Sequence, residues 1–387
     1  MRIKKEVRKI VASVLAFLMV VSLIPVNSLM TKANAASKTT FEGGKTVEDG
    51  TWKGWTWNVF GSSTDVTKAS ATDTGNGGVT LEVTGDKGKI NGSASDQGLN
   101  TFLYELDKSY DFTITAQAKI DTLATNEQAA FGLTIRDNVG THGNTTKLTA
   151  DKNNFAFVGG YGNKDNNADE TTNHGNAGYK TTKLKHTRLG KSPAVGGTYD
   201  LAIQKIGDSV KLYFDGEVAA ECSAADLITD DTMYVGLFAA RNAKVTFNNV
   251  KLAYTQDSSS VKVTTNVTAP KKTTYCAGNT YEDVDLTGFK ATVSVDGKER
   301  EITASDCVVD MSNDPFAEVT DAGKLTLLYL GQTIEVPITV IKEVVSDMYI
   351  EYMPVKTDYM VTDKIDGANK PMEEIPLQGS WVCSAVG

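Results

Sequence analysis

Tyr199-Asp200-Leu201-Ala202-Ile203-Gln204-Lys205 and then Val210-Lys211-Leu212-Tyr213-Phe214 alternate apolar and polar side chains, and Phe214 runs straight into Asp215-Gly216-Glu217-Val218. Alternation at period two gives each run one apolar face, the mark of a half-buried strand. Asp-Gly between two such runs is hairpin chemistry, because glycine tolerates the positive φ that the turn imposes. The same pattern recurs at Gly78–Val83, Phe112–Ala118 and Ala130–Ile135. From Phe41 to about Tyr254 short runs of this kind are broken by Gly, Asn and Asp, and helical periodicity is confined to Ala224–Leu227. Some ten or more strands in about 210 residues suit two large packed sheets, a jelly-roll sandwich rather than an immunoglobulin-sized one. The expected fold class is all-β, with this large domain over residues 36–255.

Gln256–Ser260, with three consecutive serines, breaks the pattern and reads as a linker. A second β domain is expected over 261–342, with strands near Val261–Val267, Phe289–Val295, Leu325–Tyr329 and Ile334–Ile341 and turns at Asp296-Gly297 and Leu330-Gly331. Its length and strand density suit a small sandwich. Pro270-Lys271-Lys272-Thr273-Thr274-Tyr275 returns 84 residues later as Pro354-Val355-Lys356-Thr357-Asp358-Tyr359, so a third module is expected to start near Met348 within 343–387, too short a stretch to complete another copy.

The N-terminus points outward from the cell. Arg2, Lys4, Lys5, Arg8 and Lys9 precede a nearly uncharged apolar stretch, Ile10–Val26, and Ala33-Asn34-Ala35 supplies the small residues a signal peptidase accepts. Residues 1–35 are therefore read as a secretory signal cleaved after Ala35, giving a secreted or cell-surface location and no membrane segment afterwards. Of 39 Lys+Arg and 48 Asp+Glu, six and one fall in that signal, leaving 33 against 47 and a net charge of −14. An acidic exported chain is a poor nucleic-acid binder. The cysteines, Cys222, Cys276, Cys307 and Cys383, include no C-x-x-C pair, which excludes a zinc knuckle or thioredoxin-type site. Cys276 and Cys307 share one expected domain and are the pair that would bridge in an oxidising compartment, buried thiols being the alternative.

The second domain resembles the bacterial Ig-like domains of group 3, on Pro270–Tyr275, Gly278, Asp285-Leu286-Thr287-Gly288 and the strand Val293–Gly297. That resemblance implies a spacer or adhesion module without catalytic residues. The large domain resembles the concanavalin-like sandwich modules that precede pectate-lyase-type β-helices in secreted bacterial proteins. It does so on Trp55-Thr56-Trp57, Phe131–Asp137, Tyr234–Ala243 and Val245–Val250. This second resemblance implies a setting of plant or microbial polysaccharide, pectin included.

Catalytic constellations are sparse. Glucanases on such sandwiches carry Glu-x-Asp-x-x-Glu on one strand face, whereas Glu105-Leu106-Asp107-Lys108-Ser109-Tyr110 has Tyr110 in place of the second Glu, so strand-end solvation is the better reading. His142, His174 and His186 lack paired metal-ligand spacing and sit in loop-like sequence. Asp165-Asn166-Asn167-Ala168-Asp169-Glu170 clusters oxygen donors, with Asp165 and Asp169 as candidate calcium ligands, yet it puts Glu170 at the EF-hand glycine position and Asn176 at the final Glu. Loop solvation is the better reading of that stretch, and structural calcium is the one cofactor that a sandwich of this kind suggests, with no ligand set named by the sequence.

A glycan site needs aromatic rings for sugar faces and Asn, Asp, Arg or Gln for hydroxyls. Tyr161 and Tyr179, flanked by Gly159-Gly160 and Asn176-Ala177-Gly178, are expected on surface loops. Trp55 and Trp57 share one strand face, which is either a platform or the core side. Arg136 and Arg241 each close an apolar strand, placed either to meet a uronate or to pair with Asp137 or Asp200. The expected function is a non-catalytic polysaccharide-binding sandwich with Ig-like spacers. The alternatives are the front of a polysaccharide lyase whose catalytic part lies elsewhere, and a surface adhesin.

Overall fold

The computed structural model describes residues 39–61, 64–90, 97–125, 128–145, 153–164, 171–342, 348–352 and 381–385. The expected signal at 1–35 and the loop holding Asp165 and Asp169 lie outside these residues. Of the expected second repeat only the backbone of one antiparallel pair is described, Met348–Tyr352 with Trp381–Ala385.

The large domain is two stacked antiparallel sheets. One has eight strands in the order β1 (Thr39–Thr40), β3 (Ala69–Gly75), β4 (Gly78–Val83), β15 (Ala243–Thr255), β6 (Asp111–Leu123), β11 (Thr198–Ile206), β12 (Ser209–Phe214) and β13 (Glu217–Ser223). The other has seven, in the order β10 (Leu184–Arg188), β9 (Thr171–Lys180), β8 (Phe155–Lys164), β7 (Ala130–Arg136), β14 (Thr232–Ala240), β5 (Leu99–Asp107) and β2 (Trp55–Phe60). Between them lies one apolar layer. The eight-stranded sheet contributes Leu81, Ile114, Ile203, Leu212 and Phe247, the seven-stranded sheet Trp55, Phe102, Phe131, Leu133, Val158 and Leu237. Each fully buried side chain of this size stabilises the fold by roughly 1.5–3 kcal/mol relative to exposure. The apolar stretch at Ala224–Leu227 is a single helical turn capped by the Ser223 hydroxyl, as its periodicity suggests.

The decisive hairpin forms as read. β11 pairs with β12 from Leu201↔Phe214 to Ile206↔Ser209, and Asp215 and Gly216 turn the chain into β13 with φ of 45° and 78°. The sequence does not reveal what that turn touches. Gly216 O accepts from Met311 N at 2.9 Å, so the tip of the large domain's hairpin is seated on the second domain.

That second domain has a three-stranded sheet, β16 (Lys262–Thr268), β18 (Lys290–Val295) and β19 (Lys298–Thr303), facing a four-stranded one, β17 (Thr274–Cys276), β22 (Gln332–Ile341), β21 (Thr320–Tyr329) and β20 (Val308–Asp310). Tyr275, Phe289, Val293, Phe316, Leu327 and Val336 fill the space between them. The other two expected turns also face the large domain. Asp296 Oδ1 accepts from Thr255 Oγ1 at 2.7 Å, and Leu330 N donates to Thr113 Oγ1 at 3.2 Å. The expected linker is a 3-10 turn, Ser258–Ser260, capped by Asp257 and tied down by Gln332 Nε2 donating to Ser258 O. Cys276 and Cys307 are free thiols, which corrects the disulfide reading: Cys307 is buried, its Sγ 3.6 Å from Thr303 O, while Cys276 is half-buried in β17.

Candidate functional site

Strand alternation gives the seven-stranded sheet a second face, turned away from the main core, and this face is also apolar. Phe60, Leu99, Phe155, Phe157, Tyr161 and Phe238 pack there with Ile90 from the segment before β5. A row of residues crosses it in register: Glu105 of β5 opposite Tyr234 of β14, Tyr234 opposite Arg136 of β7, Arg136 opposite Phe155 of β8, and Phe155 opposite Lys180 of β9. Because Arg136 and Lys180 end their strands while Phe155 begins its own, the row forms the rim of the sheet.

Arg136 is fully buried, its guanidinium 5.4 Å from the Phe60 ring centre and 5.1 Å from that of Phe155. Nη2 donates to Gln97 Oε1 at 2.6 Å and to Asn153 Oδ1 at 2.8 Å, and Nε donates to Asn138 O at 3.2 Å. Among the described residues Nη1 has no hydrogen-bond partner, and neither has the buried ammonium of Lys180. Burial pushes the Arg136 pKa down to about 10, and burial together with the charge of Arg136 pushes Lys180 down as well.

Asp137 follows directly but makes no ion pair with Arg136. Its oxygens accept from Asn154 N at 3.0 Å and Thr229 Oγ1 at 3.2 Å, and burial lifts its pKa from 3.8 to about 6 against the pull of Arg136. A raised carboxyl pKa means that the folded state holds the proton more tightly. Its stabilising contribution is complete below 3.8 and is lost as pH rises through about 6. A rise of this size corresponds to at most about 3 kcal/mol. Asp137→Asn, which keeps the acceptor for Asn154 N, is expected to stabilise the chain by up to that amount at pH 7.5 and not at pH 4.5. Urea unfolding at the two pH values checks this, and a loss at pH 7.5 would mean that the attraction to Arg136 outweighs desolvation.

The other expected site residues fall elsewhere. Tyr161 is a fully buried residue of β8, wedged edge-on between Phe157 and His186. Tyr179, in β9, faces the main core half-buried, with the Lys185 ammonium 5.5 Å from its ring centre. Neither tyrosine is on a loop. The glycines beside them are strand glycines that admit close neighbours, since a Cβ on Gly160 would strike the Phe131 ring. Trp57 is on the core side with Trp55, 8% exposed, its Nε1 donating to Asn100 Oδ1 at 2.7 Å.

Arg241, half-buried, makes the two-residue turn between β14 and β15 with Asn242, at φ of 51° and 44°. It lies at the opposite end of β14 from Tyr234, so the structure does not bring the two arginines together. His174 and His186 are strand rather than loop residues, and His142 packs edge-on against Trp57. Glu105 is exposed, and Asp107 caps its own turn by accepting from Ser109 N, as the solvation reading requires. Among the described residues no group of three or more His, Cys, Asp or Glu is placed to hold a metal ion.

Sequence reasoning missed Lys180 and Gln97, because nothing local marks them as buried. It also missed a cleft of about 710 Å³ between the two sandwiches, lined by Asp200, Asp215, Lys191, Tyr281, Glu282 and Asp285. Tyr281 OH donates to Asp200 Oδ2 at 2.9 Å there, and Lys191 Nζ to Asp215 Oδ2 at 3.0 Å. Four carboxylates around one ammonium make this cleft unfavourable for an acidic polymer, whereas the rim of the seven-stranded sheet holds two buried cations.

Residues 58–257, from within β2 to the end of the large sandwich, match the family model of the pectate disaccharide-lyase N-terminal domain. The chain belongs to this family. Its pectate disaccharide-lyase N-terminal domain coincides with the two large sheets, apart from β1 and the first half of β2. Over 318 residues the chain is 28% identical to pectate lyase L of Thermoclostridium stercorarium, covering 81% of this chain and 23% of that relative. The chain therefore spans less than a quarter of the length of the curated relative it matches. Solved structures similar to it include lectin II from Ulex europaeus (10% identity, TM-score 0.33, 56% of this chain and 97% of that one). Another is the carbohydrate-binding module CBM66 from Bacillus subtilis (15% identity, TM-score 0.26, 55% and 98%). The sandwich assignment stands on the domain's own two sheets.

Proposed function

We propose that this chain is a polysaccharide-binding accessory region of a secreted, pectin-directed protein. The large sandwich engages the glycan and the small sandwich is an Ig-like spacer. The observation that carries this reading is the family match over residues 58–257, which takes in nearly the whole large domain. The relative is named for pectate, and the matched region is 23% of its length, which supports an accessory region rather than a whole lyase. Binding a polymer through such a module raises the effective concentration of any catalyst joined to it. Export follows from the basic, apolar and small-residue succession of Met1–Ala35. The test is depletion of the full chain by insoluble and soluble polysaccharides, pectate, methylated pectin and cellulose among them, with and without calcium. Saturable retention on pectic polymers is the expected result, and retention on none of the glycans overturns the reading.

A further inference from the structure

We propose that Arg136 and Lys180 form a seat for a carboxylate, that of a uronic acid residue in the glycan. The inference rests on the polysaccharide-binding reading and deepens it. Two cations sit in one row of the seven-stranded sheet, separated by Phe155, and both are taken out of water: Arg136 is 0% exposed and Lys180 3%. A guanidinium has five N–H donors; here Nε and Nη2 are spent on Asn138 O, Gln97 Oε1 and Asn153 Oδ1. Among the described residues the Nη1 hydrogens and the whole Lys180 ammonium have no acceptor. Buried charge without a partner is costly, and two like charges together are costlier.

The acidic groups nearest in the row do not discharge the pair. Glu105 is exposed and lies beyond Tyr234, and the oxygens of Asp137 are taken by Asn154 N and Thr229. An anion is what the arrangement lacks. A carboxylate has two oxygens, one for Nη1 and one for Nζ. The seat is at the rim, where Lys180 leads into the β9–β10 turn with its exposed Thr182 and Lys183.

The experiment is calorimetric titration of the full chain and of Lys180→Met at low ionic strength. The probes are trigalacturonate, a neutral galactose trisaccharide and sodium acetate, with thermal melts alongside. Trigalacturonate is expected to bind and to raise the melting temperature, the neutral sugar to do so at least tenfold more weakly, and Lys180→Met to lose at least tenfold in affinity for trigalacturonate. Unchanged trigalacturonate binding by a cooperatively melting Lys180→Met overturns the seat. Equal binding of the neutral trisaccharide also overturns it while leaving polysaccharide binding in place, and failure of every glycan overturns both. Acetate acting as strongly as trigalacturonate would make this a site for free small anions and overturn the sugar assignment. If Lys180→Met does not fold, Lys180→Arg decides: it retains the charge, so trigalacturonate binding must persist, and its loss overturns the proposal.

Discussion

Gly132→Ala is expected to destabilise the large domain by about 3–5 kcal/mol, a large share of the roughly 5–15 kcal/mol that holds an ordinary domain folded. A Cβ there would lie 2.0 Å from Val158 O, 2.8 Å from its carbonyl carbon and 2.9 Å from the Cα of Gly159, with the backbone at φ +151°. All three obstacles are backbone, so no rotamer change relieves them. The reciprocal position is equally tight, since a Cβ on Gly159 would lie 2.0 Å from Phe131 O. Gly132 and Gly159 are register partners at the centre of the β7–β8 pairing, where Leu133 faces Val158 and Phe131 faces Gly160. To admit a methyl group the strands must part, and the buried Leu133, Val158 and Phe131 lose contact together. Gly77→Ala is the control: Gly77 has φ +73° but nothing within 4 Å, so only the left-handed backbone is penalised, by about 1–2 kcal/mol. Urea unfolding followed by tryptophan fluorescence measures both. A Gly132→Ala loss no greater than that of Gly77→Ala would show that β7 and β8 separate there without cost.

This pair also marks the boundary of what the sequence discloses. Strand alternation and turn dipeptides are local, so the hairpin through Asp215-Gly216, the helical turn at Ala224–Leu227 and the two-sheet architecture were legible without coordinates. The glycines around Tyr161 were not, because Gly-Gly serves a loop and a close-packed strand alike, and only the Phe131 ring lying over Gly160 distinguishes them. The error carried over to Tyr161 and Tyr179, which alternation alone puts on opposite faces of strands. Trp57 had two readings, and burial against the main core decided for the bland one. The pairing of Arg136 with Asp137, one of its two readings, does not form: Arg136 ends β7 and donates to Gln97, Asn153 and Asn138, while Asp137 follows in a bend and accepts from Asn154 N and Thr229. Long-range neighbours such as Gln97 and Lys180 come together through strand order, which composition and spacing do not contain.

Arg136→Met is expected to cost about 3–5 kcal/mol even though methionine preserves most of the packing between Phe60 and Phe155. The loss comes from the groups left behind. Gln97 Oε1, Asn153 Oδ1 and Asn138 O would each lose the donor they now share, in a region where Gln97 is 2% and Asn153 1% exposed. Gln97 also ties the chain locally through Nε2 to Ile90 O at 2.8 Å, so its displacement would loosen the cover over Phe155 and Phe238. Arg136→Lys keeps the charge but not the planar fork that reaches three acceptors, and is expected to recover only part of the loss. Lys180→Met should act in the opposite direction, raising stability in the absence of ligand, because that ammonium is buried with no acceptor among the described residues and its pKa is held down by burial and by Arg136. Two cations in one row thus have opposite expected signs, decided by hydrogen-bond partners rather than by charge. The double variant tests the coupling: with Arg136 gone, part of the penalty on Lys180 is gone too, so Lys180→Met should stabilise less in the Arg136→Met background than in the parent chain. Equal effects in both backgrounds would mean that the two cations do not sense each other.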